Sequence, residues 1–272
     1  MSFTLSICSI PIGHADDITK RVKNCLSDVC YIFCEDTRVT KLFLVQQGIW
    51  HQQQLIRMDQ FQEKRSFKAF DQSIALGNVA YITDAGSPNI SDPGALLVSH
   101  ARQQNIPIQV LGGISSLTTF MSGAGVLCNE FYFGGFFPKK TSAIQQLLER
   151  FLSQKIVGVW YESPHRVLDT MAFIRDAFPK IPVVLAKELT KPYEQFFFGS
   201  VDFVFEQLNE SDLRGEWVML LDGRNYAPPL KDQLKDLAMH LQNIGLTVRQ
   251  VKHIAPLFDV NKNQLYDEFL KL

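Results

Sequence analysis

Four stretches of the 272-residue chain concentrate side chains able to move protons or hold charges. The run from Asp84 to Gly94, DAGSPNISDPG, combines two acids, two glycines and two prolines. Such a loop can present backbone N–H and C=O groups to a polar ligand while Asp84 pairs with an ammonium or a ribose hydroxyl. An elaborate turn in which Asp92 caps the following helix explains its second half but leaves the first unexplained. Trp160 to Arg166 sets Glu162, His165 and Arg166 within five residues, where Arg166 can grip phosphate and His165 can hold a proton near neutral pH. A site and a capped helix start fit that stretch equally. Ala186 to Lys191 places Lys187 and Lys191 around Glu188, and Ser9 to His14 makes a tight turn through Pro11 and Gly13. The Ser9–His14 turn is not a Walker loop, and no GxGxxG follows it.

The elements that must position these clusters alternate in type. Short apolar runs at 5–10, 31–34, 79–83 and 108–111 are separated by helical patterns, which predicts a largely parallel sheet with its ligand loops at the carboxyl ends of the strands. Asp16 and Asp17, Thr37, and Asp92-Pro93 are read as helix starts. A second strand series, FYFG, IVGVWY, VVLAKE, FFFGS and EWVMLLDG, predicts a partly antiparallel sheet whose last two strands are joined by a short, hairpin-like connection. The boundaries are set at 1–114 for the first α/β lobe, 115–226 for the second and 227–272 for a helical end closed off by Pro228-Pro229. That end either packs as an appendage or contacts RNA, and the scarcity of basic residues on one face favours packing.

Composition narrows the class. With 46% hydrophobic and 20% charged residues the chain is an ordinary globular protein. A net charge of −1 gives no overall attraction to phosphate, so any RNA affinity must be local. Five cysteines without a CxxC pair read as reduced, mostly buried thiols and no metal site. The opening MSFTLSICSIPIG lacks a secretory pattern, and no apolar run nears the roughly 18 residues of a membrane span, so a soluble, cytoplasmic protein without membrane partners is expected.

Taken together, PIGHADDIT (11–19), CEDTRVT (34–40), DAGSPNISDPG (84–94), GGFFPKK (134–140), YESPHRV (161–167), AKELTK (186–191) and GEWVMLLDG (215–223) resemble the tetrapyrrole methylase superfamily and, within it, the ribosomal RNA small subunit methyltransferase I family. The resemblance implies a two-lobed fold, usually a homodimer, with S-adenosylmethionine in the cleft. It implies 2′-O-methylation of a decoding-centre cytidine in 16S ribosomal RNA, with that RNA or the small subunit as partner. Cofactor contacts carry over to Pro11, Ile12, Gly13, Asp84, Ala85, Gly86, Ser87, Gly112, Gly113 and Ser115. Glu35, Asp36, Arg38 and Lys191 fall to the acceptor, and Glu188, Lys187, Glu162, His165 and Arg166 to catalysis. A ribose hydroxyl must lose its proton during attack, and Glu188, Glu162, His165 and Lys187 all remain open as its acceptor.

Departures from the family pattern stand at His14 and Ala15, at Gly112-Gly113-Ile114-Ser115-Ser116 in place of PGPSA, and at Lys187 and near Phe198, where arginines are usual. The GGISS stretch is closer to porphyrin and precorrin methylases, which keeps such an enzyme as an alternative. A paralogue binding cofactor or RNA without turnover is the third reading.

Overall fold

A computed structural model describes residues 3–58, 66–224, 226, 230–258 and 260–272. The first sheet contains β1 (Leu5–Cys8), β2 (Tyr31–Cys34), β3 (Gln54–Arg57), β4 (Val79–Ile82) and β5 (Ile108–Leu111), in the order β3-β2-β4-β1-β5. Every pairing in it is parallel. The helices α1 (Lys20–Asp28), α2 (Thr37–Gln46), α3 (Phe67–Ile74) and α4 (Ala95–Gln103) complete this half.

Successive residues of a strand face opposite sides of the sheet, and here both sides are apolar. Cys8, Ile32 and Ile82 pack with Val22, Leu26 and Leu44 on one side. Leu5, Ile7, Phe33 and Tyr81 pack with Phe70, Leu97 and Ala101 on the other. This double burial explains why β2 and β4 read as unbroken apolar runs and why β1 is interrupted only by a small, buried Ser6. Strand β3 was not among the expected strands; it is an edge strand with both its ends exposed.

The second sheet joins β6 (Phe131–Phe136), β7 (Val157–Glu162), β8 (Pro182–Lys187), β9 (Gln195–Ser200) and β10 (Trp217–Asp222) in the order β6-β7-β10-β8-β9. Only β6–β7 is parallel; β10 runs antiparallel to both its neighbours and β8–β9 is antiparallel. The short hairpin therefore lies between β8 and β9. The last two strands are instead linked through α8 (Val201–Asn209), and β10 inserts at the sheet centre, where its apolar run Trp217–Leu221 is covered on both faces.

The outer face of this sheet packs on α6 (Thr141–Gln154), α7 (Val167–Ala177) and α8 through Trp160, Leu185 and Trp217. The inner face packs on α5 (Ser116–Gly123) through Val159, Ala186 and Val218, and Ile12 from the first half joins that cluster. At the C-terminal end, α9 (Leu230–Asn243), α10 (Val248–Ile254) and α11 (Lys262–Leu270) enclose their own core of Leu234, Ala238, Leu241, Val251, Leu265 and Phe269. Pro228-Pro229 lies outside the described residues.

Three helix starts differ from expectation. Asp16 and Asp17 sit in a short 3-10 turn, and Thr19 caps α1 by accepting from Val22 N. Asp36, one residue before Thr37, caps α2. Gly94 caps α4 with no side-chain bond, so Asp92 is not a cap. Of the cysteines only Cys8 and Cys34 are buried, while Cys30 is exposed. No described helix is long and apolar enough to cross a membrane, and no metal-ligand cluster occurs among the described residues.

Candidate active site

Loops at the carboxyl ends of β1, β4 and β5 are knitted together. Ile10 and Gly86 exchange backbone hydrogen bonds, N to O at 2.9 and 3.1 Å. The Ser9 and Ser87 hydroxyls are 3.0 Å apart, and Ser87 Oγ donates to Ile114 O at 3.3 Å. Gly86 has φ +68, and a Cβ there would stand 3.2 Å from Ile12 Cγ2. Its glycine identity thus follows from both the backbone and the close approach.

These loops form one wall of a cavity of about 420 Å³, a size in the range of about 300–1,000 Å³ for small-molecule sites. Ile12, Glu35, Asp84, Ala85, Gly86, Ser87, Ile90, Ser91 and Asp92 line it from the first half, with Ser115 and Ser116 at the start of α5. Phe136, Tyr161, Leu189, Glu216, Trp217 and Val218 line it from the second sheet. Ser116 Oγ and Tyr161 OH lie 2.7 Å apart and link the two walls. The described lining holds carboxylates but no Lys, Arg or His.

Electrostatics follow from that imbalance. Burial raises the Asp84 carboxyl, with the Asp36 charge adding to it and the Asp36 N–H bond at 3.2 Å opposing. Asp92 stays open to solvent in the cleft, yet burial by the cleft walls, then the facing carboxylates of Glu35, Asp84 and Glu216, push it up to about 7.

The other expected residues fall elsewhere, and for each there is a local cause. Gly13 does not line the cavity: a Cβ on it would meet Lys191 Cγ at 2.5 Å and Thr190 Oγ1 at 2.6 Å, and His14 N donates to Thr190 Oγ1 at 3.1 Å. Its role is close contact with the β8–β9 turn. Pro11, Gly112 and Gly113 are also absent from the lining, and Gly113 backs onto Ser9, whose Cβ and O would be 3.0 and 3.1 Å from an added Cβ. Asp36 is occupied in capping α2 and pairing with Arg38 at 2.7 Å, which holds its carboxyl well below the usual range.

Glu162 borders the cavity, but its carboxylate turns to the outer face with Trp160. There it is fully buried, accepting from Ser163 N at 2.7 Å, Thr170 Oγ1 at 2.7 Å and Arg166 at 3.0 Å. Arg166 also donates to the carbonyls of Phe137 and Pro138 at 3.0 and 2.8 Å. Its guanidinium is therefore a clamp on the loop after β6 rather than a phosphate grip.

Lys187 likewise points outward with Val183 and Leu185. It is 6% exposed, donates to Asp212 O and lies over the Trp217 ring at 5.9 Å. Glu188 accepts from Glu216 N at 3.0 Å and Lys191 Nζ at 2.9 Å. Partial burial works to raise its carboxyl, but these two donors bring it below its ordinary value. Lys191 is shared with Glu216 at 3.0 Å, and His165 is exposed outside the cavity lining. Conversely, the expectations omitted Asp92, Tyr161, Ser116 and Glu216 as site residues. Glu216 and Tyr161 belong to conspicuous strand-end motifs in the sequence, whereas Asp92 reads there as the start of a helix that Gly94 in fact caps.

Comparison with known proteins agrees with this geometry. The family model for Tetrapyrrole (Corrin/Porphyrin) Methylases matches residues 4–203. Ribosomal RNA small subunit methyltransferase I of Helicobacter pylori (strain ATCC 700392 / 26695) is 34% identical over 229 residues, spanning 78% of this chain and 80% of that protein. The protein of the same name from Buchnera aphidicola subsp. Acyrthosiphon pisum is 30% identical over 275 residues, 98% of this chain and 96% of its own. Among solved structures, a diphthine synthase superposes with TM-score 0.62 at 11% identity over 80% of this chain and 89% of its own. Cobalt precorrin-4 methyltransferase gives 0.58 at 15% over 80% and 94%. The two sheets, the shared cavity and the length of these matches lead to one assignment: the chain belongs to the ribosomal RNA small subunit methyltransferase I family, within the tetrapyrrole methylases.

Proposed function

We propose that this protein is a cytoplasmic, homodimeric methyltransferase that uses S-adenosylmethionine to methylate the ribose 2′-hydroxyl of a decoding-centre cytidine in 16S ribosomal RNA. The observation that carries the reading is the cavity itself. A sulfonium and an ammonium make the methyl donor cationic at its reacting end, and a described lining with four open or half-open carboxylates and no Lys, Arg or His suits that charge. When bound, the donor supplies the methyl group and the neutral thioether leaving group. Ser87, Ser115 and the backbone around Gly86 are placed to hold it, while Ile12, Tyr161 and Val218 shield it from water.

The names of the relatives support ribosomal RNA as acceptor. An acidic cavity cannot seat a phosphate backbone, so phosphates must rest outside it. Arg38 lies three residues beyond Glu35, and Lys139 and Lys140 follow closely on Phe136; all three are exposed. This division leaves one splayed nucleotide to enter the cleft.

The test is methylation of small ribosomal subunits from a deletion strain with labelled donor, followed by nucleoside mass spectrometry. A 2′-O-methylcytidine from the decoding centre is expected, and its loss in the deletion strain should be complete. Label entering uroporphyrinogen or a precorrin, with none in subunits, replaces the proposal with tetrapyrrole methylation.

A further inference from the structure

The chemistry of hydroxyl methylation requires a proton acceptor, and every side chain expected to fill that role is committed elsewhere. Glu162 has both oxygens bonded on the outer face, Glu188 is held by Glu216 N and Lys191, Lys187 is turned away onto Asp212 O, and His165 is exposed beyond the cavity lining. Among the carboxylates that do line the cavity, Asp84 accepts from Asp36 N, Glu216 pairs with Lys191, and Glu35 has a partner of its own. Asp92 is different: it lines the cavity and, among the described residues, accepts no hydrogen bond. From this geometry we infer that Asp92 is the catalytic base, taking the proton from the acceptor hydroxyl as the methyl group is transferred. The inference rests on the proposed methyl transfer to a ribose.

In that step the O–H bond breaks and its proton moves to an Asp92 oxygen. The hydroxyl oxygen's electron pair forms the new bond to the methyl carbon, and the carbon–sulfur pair stays with sulfur. Charge balances because the sulfonium cation and the carboxylate anion are both neutralised. The surroundings favour the role. Asp92 faces Glu35 on the loop after β2, Asp84 on its own loop, Tyr161 of β7 and Glu216 before β10, the last tied to Lys191. Burial by the cleft walls, with the three acids adding to it, raises Asp92 to about 7, a value suited to a base working near neutral pH. Binding of a cation in the cavity lowers it again and prepares the ionised form.

The experiment compares wild type, Asp92→Asn and Asp92→Glu on small subunits from the deletion strain, with calorimetric titration of S-adenosylhomocysteine as the independent readout. A wild type that fails to methylate subunits overturns the functional proposal rather than this inference. Given an active wild type, kcat/KM for the methyl donor, which reports the donor-free enzyme, should rise with pH through an acidic limb near 7. Asp92→Asn should lose about a hundredfold or more of turnover, the low end of general-base contributions, with analogue affinity within about threefold of wild type. Asp92→Glu should recover part of the rate and move the limb, which a structural role would not do. An Asn variant that turns over within about threefold of wild type, or loses rate only in proportion to lost analogue affinity, refutes Asp92 as the base.

Discussion

At the end of β4, the loop from Asp84 to Gly94 leaves Asp92 beside the cavity with no hydrogen bond from a described residue. At the ends of β7 and β8 the carboxylates of Glu162 and Glu188 are held by Arg166, Thr170, Glu216 N and Lys191. Both regions are strand ends rich in charge. One leaves a carboxylate open to solvent and to a ligand, and the other uses its charge to fix the second sheet and the turn that carries Glu216. Charge density in a sequence therefore does not separate chemistry from scaffolding; whether the neighbours already satisfy the group does.

The scaffold half of this contrast can be broken most severely at Arg166. Replacing it by methionine leaves the fully buried Glu162 carboxylate without its cation and frees the Phe137 and Pro138 carbonyls. Removing one partner of a buried pair costs about 3–5 kcal/mol. Denaturant unfolding should show that loss, while the folded fraction keeps its affinity for S-adenosylhomocysteine. Unchanged stability with lost RNA binding would return Arg166 to the role of phosphate grip.

At the ligand half, Gly86→Val tests the wall. A β-branched residue at φ +68 is strained by about 1–2 kcal/mol, and its methyls would press on Ile12, with overpacking adding about 1–3 kcal/mol. Affinity for the donor should fall more than tenfold, well beyond what the stability loss explains. Retained affinity would place the cofactor away from this loop.

Much of this arrangement was readable in the sequence. Strands β2 and β5 match their expected runs residue for residue; in β2 burial of both faces forces unbroken hydrophobicity, whereas edge strand β5 carries Gln109 and an exposed Val110 and was readable from Ile108 and Leu111 at its ends. Edge strand β3 gave no such signal, since Gln54 and Arg57 are solvated. The outward turn of Glu162 and Lys187 was also readable in principle. In β7, Glu162 shares its face with Trp160, and in β8, Lys187 shares its face with Val183 and Leu185, so period-two alternation places both away from Tyr161 and Ala186. Asp92 was not readable, because its distinction is that it accepts no hydrogen bond from a described residue in a cavity assembled from loops as far apart in sequence as those of Ile12 and Glu216. A local pattern sees only an acid before a helix.

Lys187 sharpens the contrast further. If it steadies the Asp212 turn rather than the acceptor, Lys187→Met should cost about 1.5–3 kcal/mol, the value of a charged hydrogen bond, in thermal unfolding. Turnover well below the melting temperature should stay within a few-fold of wild type. A tenfold or greater fall in kcat, with stability intact, would put the ammonium back beside the reacting oxygen.

The smallest expected effect is also the one that runs against intuition, a gain in stability from removing an active-site charge. Asp92 is raised to about 7 in the folded state, so the fold favours its protonated form. The associated stability is fully present below the unfolded carboxyl value of about 3.9 and is lost as pH rises through 7. Above that point the wild type carries an ionised carboxylate crowded by Glu35, Asp84 and Glu216, and Asp92→Asn relieves the repulsion. Because the side chain is open to solvent, the gain is discounted to on the order of 1 kcal/mol, or about 2–4 °C in melting temperature. It should appear at about pH 8 and vanish near pH 4 in thermal unfolding followed across pH. An amine-bearing analogue of the sulfonium should then stabilise the wild type more than the variant at the higher pH, since only the wild type has the unfavourable charge for the cation to neutralise. Equal stabilisation of both proteins, or a variant less stable at every pH, would mean that the Asp92 carboxylate is satisfied in the fold after all, and the distinction between the two charged regions would lose its main support.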